Sequence, residues 1–369
     1  MASLSAELVA QLAREAGFSA AGVASVPEPG SPEDAEERSR FYAWVDAGKA
    51  GEMEYLKRRD EAGALLRSSV RVALPWARSV IVCAASYNSD QLRSTDPAPP
   101  GRGWIARYAW SSNGERPTDY HKVLLRRLES LRDALISAIG PFESRCFVDT
   151  GPVVERVYAR YAGIGWTGKN TCILNEKLGS WLFLGVIVAS LEASATLQVA
   201  ADRCGSCTRC IDACPTGALT GARQMDASLW IAYLTIEKRG AIPEELRGPI
   251  GRQIFGCDIC QDVCPWNRRA PVGADPQLAP REPLVNPALD WLAAMDEPSW
   301  ESWFNGSPVR RAKYSGFRRN LAIAMGNSGQ AQFETTLRGW TSDSDPVVAE
   351  AAQWALGQIL AKDTSAGRG

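Results

Sequence analysis

The chain has 369 residues, 41 basic and 42 acidic, for a formal net charge of -1; it is too long for a lone small electron carrier and predicts two or three domains with a substantial core. The near balance of charge excludes a global field for a nucleic acid or a membrane, so any polyanion must meet a local patch. A single histidine, His121, excludes H-E-x-x-H zinc chemistry and leaves any Ser-His-Asp or Cys-His catalysis dependent on that one residue.

Residues 5 to 16 carry helical periodicity and stop at Gly17; Phe18 to Val26 then reads as a short strand. Glu7, Arg14 and Glu15 interrupt the start, which has no signal-like apolar core, so ten cysteines predict a reducing, cytoplasmic setting. The longest apolar run, Trp181 to Ala189, is too short to span a bilayer. Ser31-Pro32 caps a second helix that ends near Gly48. Ser79 to Tyr87 reads as a buried strand in which Cys83 fills core. Asn88 to Gly103, with Pro97, Pro99, Pro100, Gly101 and Gly103, is a long surface loop of the kind that often carries function. Tyr120 to Gly140 is an amphipathic helix with Leu124, Leu125, Leu128, Leu131, Leu135 and Ile136 on its apolar face.

Arg145 to Asp149 is a strand, Thr150-Gly151-Pro152 a turn, and a helix follows to about Ala162. The segment Gly163-Ile-Gly165-Trp-Thr-Gly168-Lys169-Asn170 matches G-x-G-x-x-G, but a dinucleotide fingerprint has a strand before it and a helix after it, and here the order is reversed. It remains a segment whose backbone could approach a large flat ligand. Trp181 to Ser190 is another buried strand.

The strongest signal is Cys204-Gly-Ser-Cys207-Thr-Arg-Cys210-Ile-Asp-Ala-Cys214-Pro215 and its echo Cys257-Asp-Ile-Cys260-Gln-Asp-Val-Cys264-Pro265. The first run is C-x2-C-x2-C-x3-C-P, in which three thiolates converge on one 4Fe-4S cube while the fourth reaches a second. A structural zinc site has no use for the third cysteine of the run, and a disulfide framework does not suit such tight spacing. Under the crossover rule cluster I takes Cys204, Cys207, Cys210 and Cys264, and cluster II takes Cys214, Cys257 and Cys260. Cluster II is one ligand short, so a residue elsewhere, a solvent molecule or an open iron must complete it. No sequence signal places Cys83, Cys146 or Cys172 near it.

A helix near Asp226 to Lys238 separates the two runs, and Pro271 to Pro287 reads as a linker. From Ala288 onward the chain reads as short helices forming a repeat-like module. Within it Arg310, Arg311, Lys313, Arg318 and Arg319 fall inside ten residues without a carboxylate. That pattern is either a solvated helix face or a phosphate-backbone patch, and the missing acids favour the patch.

With these runs, Val148-Asp149-Thr150-Gly151-Pro152-Val-Val-Glu155-Arg156, the Gly163 to Asn170 segment, Asp119-Tyr120-His121 and Tyr233-Leu-Thr-Ile-Glu237 in order, the chain resembles the epoxyqueuosine reductases from Gly17 to about Leu360. The resemblance implies an α+β protein: an α/β cobalamin-binding catalytic domain over residues 1–195, a ferredoxin-like two-cluster domain over 196–275, and a HEAT-like helical-repeat tRNA-binding module over 276–369. It implies reduction of epoxyqueuosine to queuosine at the tRNA wobble position, with cobalamin and two 4Fe-4S clusters as cofactors. The implied partners are the tRNA anticodon stem-loop and an electron donor, and the implied state is a monomer. Asp149 matches the general acid, whose pKa burial beside the corrin would raise. Cofactor contacts carry over to Ala106, Trp110, Asp149, Gly165, Lys169 and Asn170. His121 is structural or supports another site group, because Asp119-Tyr-His121-Lys-Val-Leu124 lacks the glycine of the cobalamin histidine motif. The sequence departs from the pattern at Trp230, where relatives carry the missing cysteine, and tryptophan cannot ligate iron; cluster II is then labile, completed by another ligand, or lost. The alternative is a cobalamin and iron-sulfur reductase of the dehalogenase kind acting on a small molecule, against which Asp149 and the basic tail argue.

Overall fold

The computed structural model describes residues 4–114, 116–194 and 199–366, with no side-chain description beyond Lys362. The boundary expected between residues 195 and 196 lies outside the described residues. The centre of the N-terminal half is a four-stranded sheet of β1 (Ala20–Ser25), β2 (Ser79–Ser86), β3 (Ser144–Phe147) and β4 (Leu182–Ala189), in the order β1-β2-β4-β3. Every pairing is antiparallel, with Val82 opposite both Gly22 and Val186 and with Cys146 opposite Ile187. The helix and strand alternation therefore builds an antiparallel sheet, not the parallel one that such alternation often signals.

Both faces of the sheet are covered, which is why β2 is apolar at nearly every position. Ile81, Cys83 and Ala85 face α1 (Ala6–Glu15) and α2 (Tyr120–Ile139), meeting Val9, Leu124, Leu128 and Leu131. Val80, Val82 and Ala84 face the other way, toward Tyr158 and Ala159 of α3 (Glu155–Tyr161). Cys83 is 0% exposed, as its core-filling role requires. The helix α2 begins at Asp119, whose carboxylate accepts from the His121 N–H, and ends at Gly140 with φ of 90°. Its stripe is set by Leu124, Leu128, Leu131 and Leu135 at steps of four, three and four; Leu125 lies off that stripe at 36% exposure, and Val123 is buried instead.

The segment from Asn88 to Gly103 lies on the surface yet is tied down. The Arg107 guanidinium donates to the carbonyls of Ser89 and Gln91, and Ser94 donates to Asp262. The stretch from Pro271 to Pro287 is integrated too: Ala279 and Pro280 pair with Ser111 and Ser112, and Leu284 and Val285 are buried. One hydrophobic core joins Ile105 and Trp110 to Ile231, Tyr233 and Phe255 of the cluster region and to Phe317, Leu321, Ala352 and Ile359 of the C-terminal helices. Its polar hub is Arg319 on α5 (Lys313–Ser328), which donates to the carbonyls of Leu234 and Lys238 at 2.6 and 2.8 Å and to that of Gly240 at 2.7 Å. These carbonyls lie on or just beyond α4 (Ile231–Ile236). No helix among the described residues is long and apolar enough to cross a membrane.

Candidate active site

Where β3 ends, the chain must turn sharply to reach α3, and Asp149 takes the strain with φ of +56°. That left-handed conformation is uncommon outside glycine but is one that aspartate and asparagine tolerate. Two residues on, Gly151 lies against the Phe147 ring, where a Cβ would come within 2.5 Å of ring carbon. The turn thus projects the Asp149 carboxylate, 49% exposed, into a cavity of about 1660 Å³. This exceeds the ~300–1,000 Å³ of ordinary ligand pockets, so the space suits a large ligand or two ligands together.

The beginning of α2 holds Asp149 from one side. The Tyr120 hydroxyl donates to Asp149 Oδ2, and Tyr120 is sandwiched between Phe183, with ring centroids 4.1 Å apart, and His121, at 4.0 Å. Burial, then the Asp149 charge, pushes the Tyr120 phenol well above its ordinary value, so it keeps its proton and serves as a donor. His121 Nδ1 lies 2.7 Å from Asp119 Oδ1, and Nε2 lies 3.7 Å from Asp149 Oδ2. The Nε2 nitrogen is buried without a hydrogen-bond partner. His121 is therefore a supporting group of the Asp149 site. From the other side the Arg67 guanidinium donates to the Asp149 carbonyl at 3.3 Å.

A second carboxyl lies behind the first. Glu155 opens α3, is 8% exposed, and leaves Oε1 without a partner. Burial, and next the Asp149 charge, push it up to about 7. The cavity lining also includes Tyr108, Tyr55 and an Arg311–Glu237 ion pair at 2.5 Å. Trp230, Tyr233, Cys257, Cys260 and Cys172 also line the cavity, so the acid and the cluster thiols open into one space.

Cys204 accepts from the Trp166 indole N–H at 3.4 Å, and with Cys264 it packs against Trp166 and Trp266. Cys264 lies within electrostatic range of Cys210 and Cys204, and Cys257 within range of Cys214. Cys260 in turn lies within range of Cys172, Cys257 and Cys210, so the thiols of the two runs are gathered into one region. Cys172 is the thiol that sequence reasoning failed to place: it pairs side chain to side chain with Cys260.

Of the six carried-over cofactor contacts, Asp149 and Asn170 line the cavity. Ala106 and Trp110 are 2% and 3% exposed inside the main core, the indole N–H donating to the Ile105 carbonyl. Lys169 donates to the Gly205 carbonyl at 2.7 Å. Gly165 serves its own hairpin, Trp166–Thr167 paired with Ile173–Leu174, because a Cβ there would come within 2.2 Å of the Leu174 carbonyl oxygen. The glycine-rich segment is explained by this close backbone approach without a ligand.

The five basic residues near position 310 separate into different roles. Arg310, Arg311 and Lys313 are exposed, but Arg310 lies 3.4 Å from Glu301 and Arg311 turns into the cavity. Arg318 pairs with Asp343 at 2.6 Å and lies over the Trp340 ring. Arg319 is 1% exposed and faces the core, not a phosphate. The acids missing from the local sequence arrive from other parts of the fold.

The family described as epoxyqueuosine reductase QueG, DUF1730, matches residues 67–150, and the 4Fe-4S double cluster binding domain family matches residues 203–267. The epoxyqueuosine reductase of Xanthomonas campestris pv. campestris is 38% identical over 350 residues, covering 94% of this chain and 94% of its own. A solved epoxyqueuosine reductase with an epoxyqueuosine-modified tRNA-Tyr stem loop has a TM-score of 0.82 at 29% identity, covering 96% of this chain and 89% of that chain. The Bacillus subtilis epoxyqueuosine reductase, in a state with its catalytic aspartate loop swung out of the active site, has a TM-score of 0.81 at 29% identity, covering 96% and 90%.

Proposed function

The chain belongs to the epoxyqueuosine reductase family, and from that premise we propose that it reduces epoxyqueuosine to queuosine in the anticodon loop of tRNA with Asp149 as the general acid. The observation that carries the reading is one cavity in which the Asp149 carboxyl, held by Tyr120 and facing His121, opens toward the cluster thiols Cys257 and Cys260. Removing the epoxide oxygen as water consumes two electrons and two protons, so the reaction needs a reductant and an acid in one space.

A corrin fits the cavity by size, and its lining includes His121 and Glu155, whose Nε2 and Oε1 are buried without a hydrogen-bond partner. Asn170, Asp149, Tyr120 and Phe183 are the residues that would line it. Cobalamin, when bound, supplies low-valent cobalt that carries the electrons passed on by the clusters. The Asp149 carboxyl delivers a proton to the departing oxygen. The Tyr120 O–H, already directed at Oδ2, stabilises the carboxylate left behind, and His121 keeps its orientation through Asp119.

The stem loop enters past Arg310 and Lys313, whose exposed cations meet phosphate, while Arg311 reaches the cavity itself. The direct test is a single-turnover reaction under anaerobic conditions with cobalamin-loaded protein, a strong reductant and an epoxyqueuosine-modified stem loop. Mass spectrometry should show loss of one oxygen from the modified base. An unchanged base with protein that carries both clusters and cobalamin would overturn the reading.

A further inference from the structure

Each cube has four irons to be capped, and the two cysteine runs offer seven thiols, leaving the cluster held by Cys214, Cys257 and Cys260 with one iron uncapped. Trp230 also lines the cavity there, but an indole has only an N–H donor and no lone pair to offer a metal. Three cysteines remain. Cys83 is sealed inside the sheet, and Cys146 lies within electrostatic range of it on the other side of β4. Cys172 is different: it lines the same cavity as Cys257 and Cys260, and its side chain meets that of Cys260.

We propose that Cys172 is the fourth thiolate ligand of the second cluster, replacing a ligand that Trp230 cannot provide. The hairpin that carries it is built to hold it there. Thr171 adopts φ of +66°, the Gly168 N–H donates to the Cys172 carbonyl at 2.8 Å, and the Cys172 N–H donates to Asn170 Oδ1 at 3.3 Å. Asn170 in turn directs its amide toward the Cys260 carbonyl at 3.5 Å, while Arg156 approaches the Thr171 carbonyl and hydroxyl at 3.4 Å each. Gly168 lets the hairpin close, since a Cβ would come within 2.3 Å of Leu174 Cδ1. Four thiolates around a cube are spaced more widely than two thiols in side-chain contact. Ligation therefore turns Cys172 and Cys260 apart about χ1, each thiol gives its proton to solvent, and no electron changes hands. The consequence is structural as well as electronic: the second cluster ties the hairpin to Cys214 and to the Cys257-Asp-Ile-Cys260 segment, each more than forty residues away in sequence.

The inference rests on the two-cluster reading, and the test separates the two. Full-length protein is purified without oxygen as wild type, Cys172→Ala, Cys172→Ser, Cys83→Ala and the double variant Cys172→Ala with Trp230→Cys. Iron and sulfide are counted per chain, and electron paramagnetic resonance is recorded before and after mild ferricyanide oxidation. Wild type and Cys83→Ala should keep the iron of two complete cubes. Cys172→Ala and Cys172→Ser should lose one iron from one cube and show a three-iron signal, which the double variant suppresses. The proposal is overturned if both Cys172 variants keep two complete cubes through oxidation, or if the wild type itself yields the three-iron signal. A Cys172–Cys260 disulfide in the anaerobic wild type, read as two missing thiols after denaturation, overturns it as well. Fewer than two cubes in the wild type before oxidation defeats the two-cluster reading, and the inference with it.

Discussion

Asp149 combines a catalytic carboxyl with an unusual backbone, and the two demands are separable by substitution. Asparagine tolerates φ of +56° and matches the shape of aspartate, so Asp149→Asn should keep the turn, the clusters and the fold. It loses the transferable proton, and single-turnover reduction should fall by ~10²–10⁴-fold, the usual worth of general acid catalysis. Turnover within a few-fold of wild type would remove Asp149 from that role. Glu155 makes a different prediction because its carboxyl is raised to about 7 from an ordinary value of 4.5. The folded state then binds this proton more tightly than the unfolded state between those values, so its contribution favours folding below the lower value and is lost as pH rises through the upper one. The difference amounts to about 3 kcal/mol. Glu155→Gln, always neutral, should abolish that fall, seen as a smaller loss of denaturation midpoint between pH 4.5 and 7. An identical pH dependence in wild type and variant would show that another group sets it.

At the scale of elements, what the sequence made legible was what periodicity and local caps encode. The four strands of the sheet, the helix from Tyr120 and the turn before α3 all follow from alternation, apolar stripes and Gly or Pro punctuation. Asp149 was visible because a motif surrounds it, and the seven cluster thiols because their spacing is chemistry in itself. The remainder depends on contacts between residues far apart in the chain. Cys172 meets Cys260 across a fold that no local pattern announces, and Tyr120 was visible only as a neighbour of His121 until the helix start placed its hydroxyl on Asp149. The basic stretch near position 310 shows the converse failure: it lacks acids locally, yet Glu301, Glu237 and Asp343 come from other elements to pair with it. Two outcomes should therefore part company. Arg319→Ala leaves the carbonyls of Leu234, Lys238 and Gly240 without their donor and should cost on the order of 4 kcal/mol in stability. Arg310→Gln with Lys313→Gln should leave the melting temperature nearly unchanged and reduce the slope of log affinity for the stem loop against log salt by roughly 0.7–0.9 for each lost phosphate contact. An unchanged slope would place the phosphate contacts elsewhere.

Across the whole molecule, the cluster region and the C-terminal helices share one apolar core, and Arg319 and Asn320 of α5 bond the carbonyls of Leu234, Thr235 and Ile254. Asn320 and Arg319 thus read the backbone of α4, which begins directly after Trp230 in the cavity lining. Cluster assembly and C-terminal folding should accordingly be coupled, because metal binding stabilises the folded state of whatever is packed on its ligands. Residues 276–369 expressed alone would lose the part of this shared core that Ile254 and Phe255 supply beside Phe317, Leu321 and Ala324. Such a segment should show no cooperative thermal transition by circular dichroism, in contrast to an autonomous helical-repeat module, whose stacked units bury their own faces. In the full chain, removing the iron with a chelator under anaerobic conditions should speed amide exchange in α4 and in α5 together, while β2 at the centre of the sheet stays protected. A cooperative melt of the isolated segment, or exchange in α5 that is indifferent to iron, would make the C-terminal helices an independent domain that merely rests on the cluster region.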